Sequence, residues 1–469
     1  MARRVAGLQA SRGGAVVIAA RTNARHLARC LLAGAAMAST VVLAGCNDGG
    51  AKFDRNSQIG ANPVLPAPQQ YLVPPIHVAE VVGWGANEAP TAAAGLRVQA
   101  LARDLNHPRN ILALPNGDVL VVESQGPNLD PVTRPKNPIV SWVQKRATGQ
   151  SGAKPKGPTN QITLLRDANG DGVPEQRTVL VDHLFSPFGV VFADNYLYVA
   201  ATDAVLRYPY TLGQTRITAA PVRLTELPGG PIDHHWTKSL TLSPDGKLLY
   251  ATVGSNSNIT ENGMEAERNR AAVWEIDRAT GRSRVFATGL RNPNSPNFYP
   301  GTNTLWVVAN ERDELGPNLV PDYLTSVRDG GFYGWPYSYY GRHVDPRVMP
   351  QRPDLVARAI VPDYALSSHV AALGLTFYTG SALPARYRGG ALIGEHGSWD
   401  RDELNGYKVA FVPFANARPS GKTEDFLSGF VSPAGKVRGR PVGVTVDRTG
   451  AVLVADDTGN VVWRVSAAR

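Results

Sequence analysis

One phrase recurs six times along the chain: a short polar or proline-bearing entry loop, a strand, a tight turn and a returning strand. It begins at Asn106 (NHPRNILALPNGDVLVVES), Ser186 (SPFGVVFADNYLYVAAT) and His235 (HWTKSLTLSPDGKLLYATVG). It returns at Asn292 (NPNSPNFYPGTNTLWVVANE), His369 (HVAALGLTFYTGS, then GALIGEHGSW) and Gly439 (GRPVGVTVDRTGAVLVADD). In the third copy Leu240 and Leu242 alternate with Thr241 and Ser243, the two-residue period of a half-buried strand. Pro244-Asp245-Gly246 then supplies turn chemistry, and Leu248 to Val253 return. β units repeated without helices between them read as propeller blades around an axis. The prediction is an all-β fold, a six-bladed β-propeller with long inter-blade loops. Loops entering the innermost strands of such a fold converge at one end, so His235, Arg291 and Arg440 are expected to share one pocket.

Composition agrees with a large β domain: 43% of the 469 residues are apolar, and 47 Gly with 36 Pro are rich in turns. The formal charge of +9 is concentrated in a leader. Arg3, Arg4, Arg12, Arg21, Arg25 and Arg29 precede residue 45 with no acid among them. Without those six charges the remainder is too weakly basic for a nucleic-acid partner. Both cysteines, Cys30 and Cys46, are N-terminal, which excludes a disulfide framework or thiolate metal site in the body of the chain. The apolar run Leu31 to Gly45 after arginines is a secretory signal pattern. It ends in Leu43-Ala44-Gly45-Cys46, which resembles the bacterial lipobox, where the cysteine is acylated. Asn47 after it points to the outer membrane. The expected organisation is a signal peptide over 1–45, a lipidated, proline-rich tether and lead-in over 46–95, and the propeller over 96–469.

Two insertions stand out. Residues 127–161 are rich in Gly, Pro and basic residues, the composition of a surface insertion or an active-site wall. Residues 311–358 carry Phe332, Tyr333, Trp335, Tyr337, Tyr339 and Tyr340, which suit inter-blade packing or a wall for a planar ligand. Separately, Asp167, Asn169 and Asp171 open a calcium-loop pattern, but Thr178 stands where the twelfth-position acid belongs. A hairpin turn and a structural Ca²⁺ site both remain open there.

The phrases HWTKSLTLSPDGKLLYATVGSNSN, GLRNPN, NERDELGPNLVPDYLTSVRDGGFYGWPY, GEHGSWDR and VLVADDTGNVVWRV resemble the sorbosone dehydrogenase-like group of soluble sugar dehydrogenases that depend on pyrroloquinoline quinone (PQQ). The resemblance runs from about Leu96 to the C-terminus. It implies PQQ and Ca²⁺ in a polar pocket on the propeller axis, with an aldose or sugar-derived aldehyde as substrate. By motif, His235 falls on the general base, a task suited to a neutral imidazole. His234 stands where the better-known glucose enzymes carry an aspartate. Arg291 and Asn292 match the pair that contacts the quinone, with Arg291 stabilising charge during reduction. Arg438 and Arg440, two apart and expected on one face, match a pair that grips the cofactor's carboxylates. His396 lies near the position of a cofactor-binding lysine that is missing here. The main-chain carbonyls of Glu311 and Arg312 are the expected Ca²⁺ ligands. No haem attachment motif is present, so an external quinone or cytochrome is the expected electron acceptor.

Two other classes fit a propeller. A lactonase-like hydrolase needs acidic metal ligands converging on the axis, whereas the repeat entries carry His, Arg and Asn. A non-catalytic propeller binding sugars or a protein leaves the alignment of His235 with Arg291-Asn292 unexplained.

Overall fold

Each recurring phrase becomes the two inner strands of one antiparallel sheet, and among the described residues there are six such sheets. The chain is described by a computed structural model over residues 53–69, 71, 76–127, 157, 159–230, 232 and 234–468. The expected leader 1–45, Cys46 and most of the 127–161 insertion lie outside the described residues.

Blade 1 consists of Pro108–Ala113, Val119–Glu123, Gln161–Arg166 and Gln176–Val181. Blade 2 spans Gly189–Ala193 to Val222–Glu226, and blade 3 spans Leu240–Leu242 to Ser283–Thr288. Blade 4 is Asn292–Phe298, Leu305–Asn310, Pro321–Val327 and Tyr364–Ser368. Blade 5 is Ala372–Phe377, Ala391–Glu395, Lys408–Val412 and Glu424–Ser428, with Thr91–Ala92 added at its edge. Blade 6 is Pro441–Val446, Val452–Asp456 and Val461–Ala467, completed from the other end of the chain by Leu96–Ala102. The register Leu96↔Ala467 to Ala102↔Val462 closes the ring. First strands touch first strands all the way round, blade 6 against blade 1 included.

The second strand of each blade explains why the sheets stack. Val119–Glu123, Ala391–Glu395 and Val452–Asp456 are buried at every position. Their sequences are correspondingly near-continuous apolar runs, as strands covered on both faces require. The apolar clusters lie between blades: Leu120 and Leu164 of blade 1 meet Val190 and Leu197 of blade 2. Likewise Ile111 and Val119 of blade 1 meet Leu453 and Val462 of blade 6. Near the axis the backbones approach closely. A Cβ on Gly374 or Gly394 would lie 2.0 or 2.2 Å from the Val442 carbonyl oxygen.

The 311–358 aromatics mainly pack between blades. Tyr333, Tyr339 and Tyr340 are buried with Tyr250, Leu305 and Tyr323 of blades 3 and 4. The described part of the lead-in is folded onto the propeller. Gln58 is fully buried, donates to the Asn318 carbonyl and accepts from the Ser368 N–H. Farther on, Val81 bridges to Val437.

Candidate active site

In an antiparallel pair, the start of the first strand lies beside the end of the second. The registers Asn292↔Asn310, Ala372↔Glu395 and Pro441↔Asp456 put both kinds of loop at one end of the axis. There they enclose a cavity of about 460 Å³. His235, Arg291, Asn292, Glu311, His396 and Arg440 all line it. Its aromatic walls are Trp236 and Trp399.

His235 Nδ1 lies 2.8 Å from the Ser255 carbonyl oxygen and 3.0 Å from Ser255 Oγ. Since Ser255 Oγ donates to the Ser257 carbonyl, Nδ1–H is the donor to the Ser255 carbonyl, and the lone pair is left on Nε2. Burial, reinforced by His234 and Arg291, holds the ring's pKa well below its ordinary value. The imidazole is therefore neutral near pH 7. The His234 ring stands perpendicular to it at 4.5 Å and is itself lowered to about 4, by burial and then Arg291. A backbone carbonyl thus orients the His235 ring, and among the described residues no carboxylate does so. Gly254 permits this packing: a Cβ there would lie 2.5 Å from His235 Cβ and 2.4 Å from Asn292 Oδ1.

Arg291 is 3% exposed, and protein acceptors surround its guanidinium. Nη1 donates to the Glu311 carbonyl (2.6 Å), Nε to the Asn258 carbonyl (3.3 Å), and Nη2 to Asn258 Oδ1 (3.0 Å) and Asp313 Oδ2 (3.1 Å). It is a fixed positive charge with little donor capacity left for a ligand. Asn292 Nδ2 donates to Asn310 Oδ1, while Asn292 Oδ1 is buried without a partner. Arg440 donates to the His396 and Gly397 carbonyls and lies over the Tyr407 ring.

His396 Nε2 is 2.8 Å from Asp457 Oδ2, which also accepts from Arg109 Nη1. Burial outweighs the Asp457 carboxylate and lowers His396 to about 4. The ring is neutral, so it cannot supply the positive charge of the missing lysine. Arg109 lies over the Phe188 and Trp236 rings at 5.6 and 5.5 Å.

Arg438 and the Asp167 turn lie away from the cavity. Arg438 does not line the cavity; it pairs with Glu88 at 3.0 Å and lies over Trp84. The same-face expectation fails because the strand begins only at Pro441, and Arg438 occupies a bend before it. The Glu311 carbonyl, expected to face calcium, accepts from Arg291 instead. The Glu311 carboxyl is buried, raised to about 7 by that burial, and its Oε1 has no partner. The Arg312 side chain, as distinct from the main-chain carbonyl expected to face calcium, donates to Asp345 (2.8 Å) and the Asp313 carbonyl (2.9 Å). Asp167, Asn169 and Asp171 form a hairpin turn at the rim of blade 1. Asp167 accepts from the N–H groups of Gly170 and Gly172, and Asn169 Oδ1 accepts from Asp171 N–H. Glu175 completes an exposed acidic group with Asp167 and Asp171.

Asp313, His369, Asp400 and Asp457 were not singled out as site residues in the sequence. His369 opens one of the six phrases; Asp313, Asp400 and Asp457 lie within NERDELG, GEHGSWDR and VLVADD, phrases that carry the resemblance without assigning these acids a role.

Residues 190–398 match the glucose/sorbosone dehydrogenase family model, and residues 356–468 match a TrAA12-like model. Over residues 190–398 the chain is similar to the glucose/sorbosone dehydrogenases. An uncharacterized protein of Borreliella burgdorferi is 26% identical over 292 residues, 60% of this chain and 76% of that one. Two solved structures share the fold. The holo PQQ domain of Coprinopsis cinerea pyranose dehydrogenase superposes with a TM-score of 0.63 at 20% identity, covering 83% of this chain and 100% of that one. The calcium structure of a Trichoderma reesei family AA12 enzyme gives 0.65 at 18%, covering 84% and 99%.

Proposed function

We propose that this chain is a PQQ-dependent sugar dehydrogenase that oxidises an aldose, or a sugar-derived aldehyde, to a lactone or acid. The carrying observation is the neutral His235, its Nε2 lone pair unused, in one cavity with Arg291, Asn292 and Arg440.

The residues suit a tricarboxylate quinone with a calcium ion. Arg291 and Arg440 supply buried positive charge for carboxylates. Asn292 Oδ1 and Glu311 Oε1 are buried acceptors without donors, the kind of oxygen that Ca²⁺ takes. Trp236 and Trp399 offer flat apolar surface, and the cavity volume is in the range of small-molecule sites. Bound PQQ would supply the two-electron acceptor for hydride. His235 Nε2 takes the proton from the substrate hydroxyl, while the Ser255 carbonyl holds the tautomer that leaves this nitrogen free. Arg291, locked by Asn258, Glu311 and Asp313, contributes a pre-oriented charge rather than a flexible contact.

The test is dye reduction by the purified chain with PQQ, Ca²⁺ and a panel of aldoses. His235→Ala should cost about 10²–10⁴-fold in kcat. Quenching of tryptophan fluorescence by PQQ should persist in that variant. Absence of PQQ binding in the wild type would end this reading. The arginine-rich leader and Leu43-Ala44-Gly45-Cys46 support a lipoprotein facing the periplasm from the outer membrane, passing electrons to a separate quinone or cytochrome. Retention of Cys46→Ser in the membrane fraction would argue against that anchor.

A further inference from the structure

We propose that Asp313, His369 and Asp400 form a binding site for one divalent transition-metal ion in the wall of the cavity. The site has a nitrogen ligand and does not depend on PQQ. One ligand atom from each residue lies within 4.8 Å of the others. The three come from separate loops: Asp313 follows Leu305–Asn310, His369 follows Tyr364–Ser368, and Asp400 follows Ala391–Glu395.

The far side of each ligand is already anchored. His369 Nε2–H donates to the Gly316 carbonyl at 3.1 Å, which turns Nδ1 towards Asp313 Oδ1 at 3.3 Å. A metal-binding histidine ordinarily spends its other N–H on such an acceptor, which fixes ring and tautomer. Asp313 Oδ2 is held by Arg291 Nη2 at 3.1 Å, and Asp400 Oδ2 accepts the Glu314 N–H at 2.9 Å. The ligand atoms are then the second Asp400 oxygen and the Asp313 Oδ1–His369 Nδ1 pair, whose Nδ1 proton the metal displaces on binding. Two carboxylates and one imidazole suit Mn²⁺ or Zn²⁺, whereas the oxygen set described for calcium has no nitrogen.

Access and backbone agree. Asp313 and His369 line the cavity, so an ion reaches them from it. His369 at φ 60° and Glu314 at φ 69° both hold the left-handed conformation that non-glycine residues seldom adopt. Such conformations persist where the surroundings enforce them, and they gather at ligand sites.

The experiment uses the full chain, freed of metal by chelation and without PQQ, titrated with Mn²⁺ by calorimetry and pulsed electron paramagnetic resonance. One Mn²⁺ per chain is expected, with a histidine nitrogen coupling that excess Ca²⁺ does not abolish. His369→Gln should remove the coupling, and Asp400→Asn should weaken binding at least about tenfold. His235→Ala should retain the coupling. No stoichiometric binding, a coupling unchanged in His369→Gln, or an affinity unchanged in Asp400→Asn overturns the site. Sugar oxidation is read separately, in the PQQ-loaded chain, so the two readings fail independently.

Discussion

Asp457 offers the sharpest test of how the cavity is held, because one of its oxygens serves two partners. Oδ2 accepts from both Arg109 Nη1 and His396 Nε2, while Oδ1 accepts from Thr458 Oγ1. Its side chain is 1% exposed and that of Arg109 is 9% exposed. In Asp457→Asn the amide oxygen can replace Oδ2, and the amide nitrogen can donate to Thr458 Oγ1. Shape and hydrogen bonds survive; only the charge is lost. Arg109 then stays buried without a counter-charge, and its Nε already lacks a partner. Removing one member of a buried pair costs about 3–5 kcal/mol. For a propeller of about 370 residues, with roughly 2.1 cal/mol/K of unfolding entropy per residue, that is a Tm lower by about 4–6 °C. Differential scanning calorimetry of the wild type, Asp457→Asn, Arg109→Met and the double variant measures it. The double variant should recover most of the loss, because no lone charge remains. A Tm change below about 1 °C in Asp457→Asn, or strict additivity in the double variant, would refute the reasoning.

Further tests address other parts of the site. His396 is lowered by burial to about 4, against an ordinary 6.5, so the unfolded chain binds more protons between these values. The stability this residue contributes is present above pH 6.5 and is lost as pH falls towards 4, about 3 kcal/mol in all. Urea unfolding at pH 7 and pH 4.5 should show a smaller acid loss in His396→Gln than in the wild type. Gly254→Ala, placing a Cβ against His235 and Asn292, should cost about 1–3 kcal/mol and reduce dye-linked turnover. Arg438→Ala, which breaks a partly exposed pair with Glu88, should change stability by no more than about 1 kcal/mol and leave PQQ affinity unaltered by fluorescence titration.

How the aromatics and acids were used could not be read from spacing. Tyr333, Tyr339 and Tyr340 fit a ligand wall as well as a core until the fold buried them between blades 3 and 4. Asp313 and Asp457 look like ordinary loop acids in sequence. Their roles follow from what meets them: Arg291 and His369 for one, Arg109 and His396 for the other. Arg438 shows the converse. It precedes the strand, where two-residue alternation does not govern side-chain direction, and its guanidinium pairs with Glu88.

What the amino-acid order determined by itself was the blade. Each inner hairpin pairs neighbours in sequence, so alternation, turn residues and continuous apolar second strands were enough to mark all six. It also marked the phase at which His235, Arg291 and Arg440 enter the first strands. Only the tertiary structure decided how the ring closes, with Leu96–Ala102 pairing to Val461–Ala467. It alone decided which loop charges meet at the axis. Local periodicity records whether a side chain is buried within its own sheet, but contacts across the axis join loops of different blades. Those partners are set by the closed ring, and no short stretch of the chain contains both.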